Sequence, residues 1–85
     1  MIVQAEVSLY PIETEDIGGP IHAFIDCLHR YNLKVSEGNM STVVTGEQAD
    51  VFAALDAAFR DTAESNAAVL VVKVSNACKL PAPDA

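Results

Sequence analysis

The stretch Ile2-Val3-Gln4-Ala5-Glu6-Val7-Ser8-Leu9-Tyr10 sends Val3, Ala5, Val7 and Leu9 to one side and Gln4, Glu6, Ser8 and Tyr10 to the other. A period of two is the mark of a β-strand with one buried face. Its apolar side needs a layer of helices to cover it. Its polar side is left for water, a ligand or a second subunit. Pro11 is expected to end the strand, because proline donates no bond to a ladder.

Reading outward, Glu13-Thr14-Glu15-Asp16 and Gly18-Gly19-Pro20 form a loop that leads into a helix, with Pro20 suited to the first turn. Ile21, Phe24, Ile25, Leu28 and Tyr31 then recur at helical spacing, opposite His22, Asp26, His29 and Arg30. Asn32 is a natural stop. Leu33 to Ser36 and Met40 to Thr45 are β-prone runs joined by Glu37-Gly38-Asn39, residues that tolerate positive φ, which predicts a hairpin. Thr45-Gly46-Glu47-Gln48 has capping-box spacing, so a second helix is expected from there to about Ala63. Its apolar stripe is expected to be Phe52, Leu55 and Phe59, flanked by Val51, Ala54 and Ala58. The valine-rich run Val69 to Ser75 is the last strand.

The order strand, helix, strand, strand, helix, strand closes as an α+β fold, the ferredoxin-like βαββαβ plait: a four-stranded antiparallel sheet with both helices on one face. Residues 1–78 make a single domain and residues 79–85 a loose tail. The first and third strands are expected to be central and to run parallel. That arrangement sends Ser41 and Thr42 to the first strand's beginning, while Ser8 and Tyr10 lie near its end.

The chain's 85 residues exclude a two-domain enzyme with a cleft between its halves. Five Lys and Arg against twelve Asp and Glu give a net charge of -7, which repels phosphate backbones and anionic lipid and favours cationic or neutral ligands. Nucleic acid is not an expected partner, and membrane insertion is not expected because about 18 apolar residues nowhere run together. Cys27 and Cys78 are too few and too far apart for a disulfide scaffold, a zinc site or a CxxC pair, and read as buried free thiols. A cytoplasmic protein without a cofactor is the plain expectation. So small a core makes self-association the expected extra source of stability.

Two groupings bear on chemistry. His22, Asp26 and His29 share a helical face and have the residue types of a metal site, but polar residues are simply expected opposite the apolar stripe, so they read as a solvated face and no metal site is expected. Glu6, Ser8 and Tyr10 supply an acid, a hydroxyl and a phenol, yet no His or Lys is placed to activate the serine, so catalysis is not expected. Binding asks less of them. A carboxylate, hydroxyls and an aromatic ring satisfy a flat, nitrogen-rich heterocycle by bonding its edge and stacking on its face. Of the adjacent Ser41 and Thr42, only one can share a face with Ser8.

Ser8-Leu9-Tyr10-Pro11, the run Ser41-Thr42-Val43-Val44-Thr45-Gly46, the helix opening with Val51-Phe52, and the final strand running into Ser75 and Cys78 together resemble the YkoF-like thiamine/hydroxymethylpyrimidine-binding domains. The likeness spans about Glu6 to Cys78. It implies a non-catalytic protein that binds thiamine or its hydroxymethylpyrimidine moiety in thiamine uptake or salvage. The site residues it implies are Ser8, Tyr10, Asn39, Ser41 and Thr42, with Glu6 added on chemical grounds as an acceptor for the aminopyrimidine. The family's named example joins two such domains in one chain, so a single domain implies a homodimer or homotetramer through the sheet face. The alternative reading is a structural or regulatory oligomerisation domain that pairs through that same open face.

Overall fold

The computed structural model describes residues 1–77, so Cys78 and the expected tail at 79–85 lie outside the described residues. The elements run β1 (Ile2–Ile12), α1 (Gly18–Leu28), β2 (Lys34–Glu37), β3 (Thr42–Glu47), α2 (Gln48–Ser65) and β4 (Ala67–Ser75). The sheet has the order β2-β3-β1-β4 with every neighbouring pair antiparallel. This is the plait. Val3, Ala5, Val7 and Leu9 are buried with Val44 of β3 beneath Phe24, Cys27 and Leu28 of α1 and Val51, Ala54, Leu55 and Ala58 of α2. Both helices therefore sit on the face that the odd-numbered residues of β1 present. Cys27 is a free, buried thiol.

Several local expectations are corrected. β1 does not stop at Pro11 but continues to Ile12, with Pro11 opposite Ala68 of β4. A proline is tolerated here because β3 borders β1 only from Ile2 to Val7, and beyond Val7 just one edge of β1 carries a ladder. Thr45 is not a helix cap, since it lies inside β3 opposite Gln4. Glu47 occupies the cap position without a side-chain bond to the helix. Its carboxylate instead accepts from the Met1 amine at 2.7 Å, and the Gln48 N–H donates to the Met1 carbonyl at 2.9 Å. The first helical amide of α2 is thus satisfied by the strand next door.

Phe52 departs from the expected stripe, being about half exposed (49%). The buried face of α2 runs instead through Val51, Ala54, Leu55, Ala58 and Thr62, whose hydroxyl donates to the Ala58 carbonyl at 3.0 Å. Small residues on this face let α2 approach the sheet and α1 closely. Leu28→Ala, at a side chain with no exposure, is expected to cost about 3 kcal/mol through lost burial and a residual cavity, and Phe52→Ala under about 1 kcal/mol. Urea unfolding of the two variants checks both values.

Candidate ligand groove at the end of the sheet

The two helical crossovers join parallel strands, and the β2–β3 hairpin reverses the chain between them. β3 must then be antiparallel to β1, which corrects the parallel arrangement expected from sequence. The register places Val7 opposite Thr42 and Ile2 opposite Glu47. Ser41 and Thr42 accordingly lie beside the second half of β1, next to Ser8 and Tyr10, rather than at its beginning.

Past Val7, β1 runs on alone along one edge, and the hairpin turn leaves a notch beside it. This groove, of about 480 Å³, is bounded by β1 from Val7 to Pro11, by the hairpin from Glu37 to Thr42, and by Ile17, Ile21 and Ile25 from α1 and the residue before it. Five of the six expected site residues, Ser8, Tyr10, Asn39, Ser41 and Thr42, line it. Thr42 is buried on the helix-facing side with Val7, whereas Ser41 reaches the open face, where its hydroxyl donates to Glu6 at 3.2 Å. Glu6 adjoins the groove rather than lining it. Its other carboxylate oxygen lies 3.7 Å from Lys73 Nζ, across the pair of β1 and β4.

The turn is tight for a steric reason. The Gly38 N–H donates to the Ser41 carbonyl at 2.9 Å, and a Cβ on Gly38 would sit 2.9 Å from that same oxygen. Close approach, not positive φ, demands the glycine: among the described residues only Glu13 has a positive φ outside glycine, and no described glycine has one. Asn39 and Met40 are thereby held out at the rim, with Met40 almost fully exposed.

Sequence reasoning missed Glu37, Ile17 and the apolar wall from α1. The signal was present, because the crossover rule fixes β3 against β1 and brings the hairpin turn to the start of α1. The histidines do not share a centre: His22 Nε2 is 3.4 Å from Asp26 and His29 Nε2 is 3.9 Å from Glu37. Among the described residues no three His, Cys, Asp or Glu side chains converge as metal ligands would. Nor is any described helix long and apolar enough to cross a membrane.

The sequence pattern that defines the YKOF-related family matches residues 2–80. The chain belongs to the YKOF-related family. Solved structures similar to this YKOF-related chain include a hypothetical protein of Methanocaldococcus jannascii, with a TM-score of 0.83 and 23% identity over 94% of this chain and 84% of that one. A protein of Streptococcus pneumoniae superposes with a TM-score of 0.85 at 17% identity, over 93% of this chain and 90% of that one. A Thermotoga maritima protein assigned provisionally to thiamine biosynthesis or salvage gives 0.78 at 19% identity, over 87% of this chain and 82% of that one. At these identities the likeness establishes the fold. Among functionally curated proteins none is significantly similar to the chain.

The register of β1 against β3 can be checked directly. Glu6 and Val43 face each other on the open side. The Glu6→Cys, Val43→Cys double variant should form a disulfide in air, read as a 2 Da mass loss, since antiparallel partners meet the distance a disulfide needs. An Ile2→Cys, Ser41→Cys pair, which a parallel arrangement would bring together, should stay reduced.

Proposed function

We propose that this YKOF-related protein is a non-catalytic binding protein for thiamine or its hydroxymethylpyrimidine moiety, acting in thiamine uptake or salvage. The observation that carries the reading is the gathering of Ser8, Tyr10, Asn39 and Ser41 around one groove with aliphatic walls, in a chain of this family. The provisional thiamine assignment of the Thermotoga maritima protein supports the same class of ligand.

The chemistry fits the ligand part by part. An aminopyrimidine presents a donor and ring-nitrogen acceptors on its edge, and the Asn39 amide with the Ser8 and Ser41 hydroxyls offers both kinds of partner. Its faces are apolar and suit the half-exposed ring of Tyr10 on one side and the isoleucines of α1 on the other. The carboxylates of Glu6 and Glu37 favour the thiazolium cation. The described groove lining holds hydroxyls, an amide and the Glu37 carboxylate but no His, Lys or Cys.

The open sheet face supplies the second element of the proposal. Ile12, Val69 and Val71 are each between 45% and 49% exposed, and the register makes them neighbours across β1 and β4. A second copy of the chain covers this patch in the proposed homodimer or homotetramer. Beside the patch, Gln4, Glu6, Lys73, Lys34 and Ser36 give the interface a polar rim.

Isothermal titration with thiamine and with hydroxymethylpyrimidine tests the binding, and sedimentation equilibrium tests the assembly. Ser8→Ala and Asn39→Ala are each expected to weaken binding by roughly fivefold to tenfold, the worth of one hydrogen bond, and Tyr10→Ala by about tenfold. Arg60→Ala, at the exposed pair with Asp56 on α2, should leave binding unchanged. No heat with either compound would overturn the ligand reading and leave an oligomerisation domain. A monomer at micromolar concentration would overturn the sheet-face assembly.

A further inference from the structure

Resting on the proposed ligand class, we infer that the groove selects the unphosphorylated alcohol and rejects its phosphate ester. The placement of charge decides this. Glu37 is the charged residue in the described lining, and Glu6 adjoins the groove with Lys73 against it, so the lining itself offers a phosphate a carboxylate and no cation.

Among the described residues no Lys, Arg or His lines the groove, and those that approach it sit against its own carboxylates. Lys73 lies 3.7 Å from Glu6, His29 lies 3.9 Å from Glu37, and Arg60 is held by Asp56 at 2.9 Å. Lys34 stands opposite Thr45, which itself pairs with Gln4 near the start of β1. That is roughly 10 Å from the near end of the groove at Glu37 and Thr42, at about 3.4 Å per residue. Arg30 opens instead onto the crevice between α1 and α2, beside Asp61.

A helix N-terminus is the usual alternative for a phosphate, and α1 begins beside the groove. The Gly19 amide at that end is already answered, because its N–H donates to Asp16 Oδ1 at 3.0 Å. A phosphate would have to displace a carboxylate of its own sign there. A neutral hydroxymethyl or a cationic ring meets no such penalty.

Phosphorylation adds between one and two negative charges to the ligand and would therefore turn attraction into repulsion. The bound compound then stands before the phosphoryl-transfer reaction that consumes its hydroxyl, and the phosphorylated product leaves the groove free for the next molecule.

The test titrates the full chain with four compounds: hydroxymethylpyrimidine, its phosphate, thiamine and thiamine monophosphate. Each ester is expected to bind at least about tenfold more weakly than its alcohol in dilute buffer, with the ratio shrinking at 0.5 M salt as screening shortens the field. Glu37→Lys should narrow the ratio by about tenfold, and the isosteric Glu37→Gln by less, while circular dichroism confirms the fold of both. Alcohols and esters that bind equally would overturn the selection while leaving the ligand class intact. A Glu37→Lys ratio equal to that of the unaltered protein would overturn the role of Glu37. Failure of all four compounds to bind would remove the ligand class, and this inference with it.

Discussion

β3 pairs with β1 only as far as Val7, and the longest strand of the sheet then runs on to Ile12 with a neighbour on one side alone. The overhang depends on a difference in length between β1 and β3, which are anchored together at Ile2 and Glu47 by a hydrogen-bonded ladder and by the docking of Gln48 on Met1. Because the ladder starts in register at that end, the shortfall accumulates at the other. The hairpin turn closes at Gly38 and Ser41 before β1 ends, and the gap beside Ser8 to Pro11 is what remains. Had β3 begun four residues earlier, backbone pairing would have run beside Ser8 to Pro11 and filled the notch.

The strand that creates the gap also anchors the core. Val3, Ala5, Val7 and Leu9 are buried on one face, so β1 cannot slide by one residue without turning them outward and bringing Glu6 and Ser8 beneath the helices. Hydrophobic burial therefore fixes the positions of the polar side chains on the opposite face. Precision at the groove comes from packing on the side of the sheet opposite Ser8 and Tyr10.

Much of this is legible in the sequence, for identifiable reasons. The alternation in β1 is strict, the stripe of α1 is unbroken from Phe24 to Leu28, and the order of elements admits few closures. Ser8 and Tyr10 are visible as polar residues on the uncovered face. Their meeting with Asn39 and Ser41 is contained in the topology but escapes the expectation of a parallel β3, which overlooks that the hairpin reverses the chain. Glu37 is hidden for a different reason: a charged residue at the end of a short strand has no periodicity to set it apart from an ordinary turn. Phe52 misleads because an aromatic residue at helical spacing reads as core, while the alanines around it make the closer contact with the sheet. The docking of Met1 on α2 depends on two strand-end residues meeting in space, which local patterns do not encode.

Pro11 bears on how this protein limits edge-to-edge strand pairing. An unpaired strand edge carrying Ser8 to Ile12 is a template on which another extended chain can polymerise, and such templates seed fibrils. Proline interrupts that template near its end, since it offers no N–H to an incoming strand and holds φ near about -65°. Small flat molecules are indifferent to this, because they need side chains and space rather than a repeating row of amides. A single imino acid thus keeps the cleft open to solutes while closing it to polypeptide, so that the most accessible backbone in the sheet is not its point of entry to aggregation.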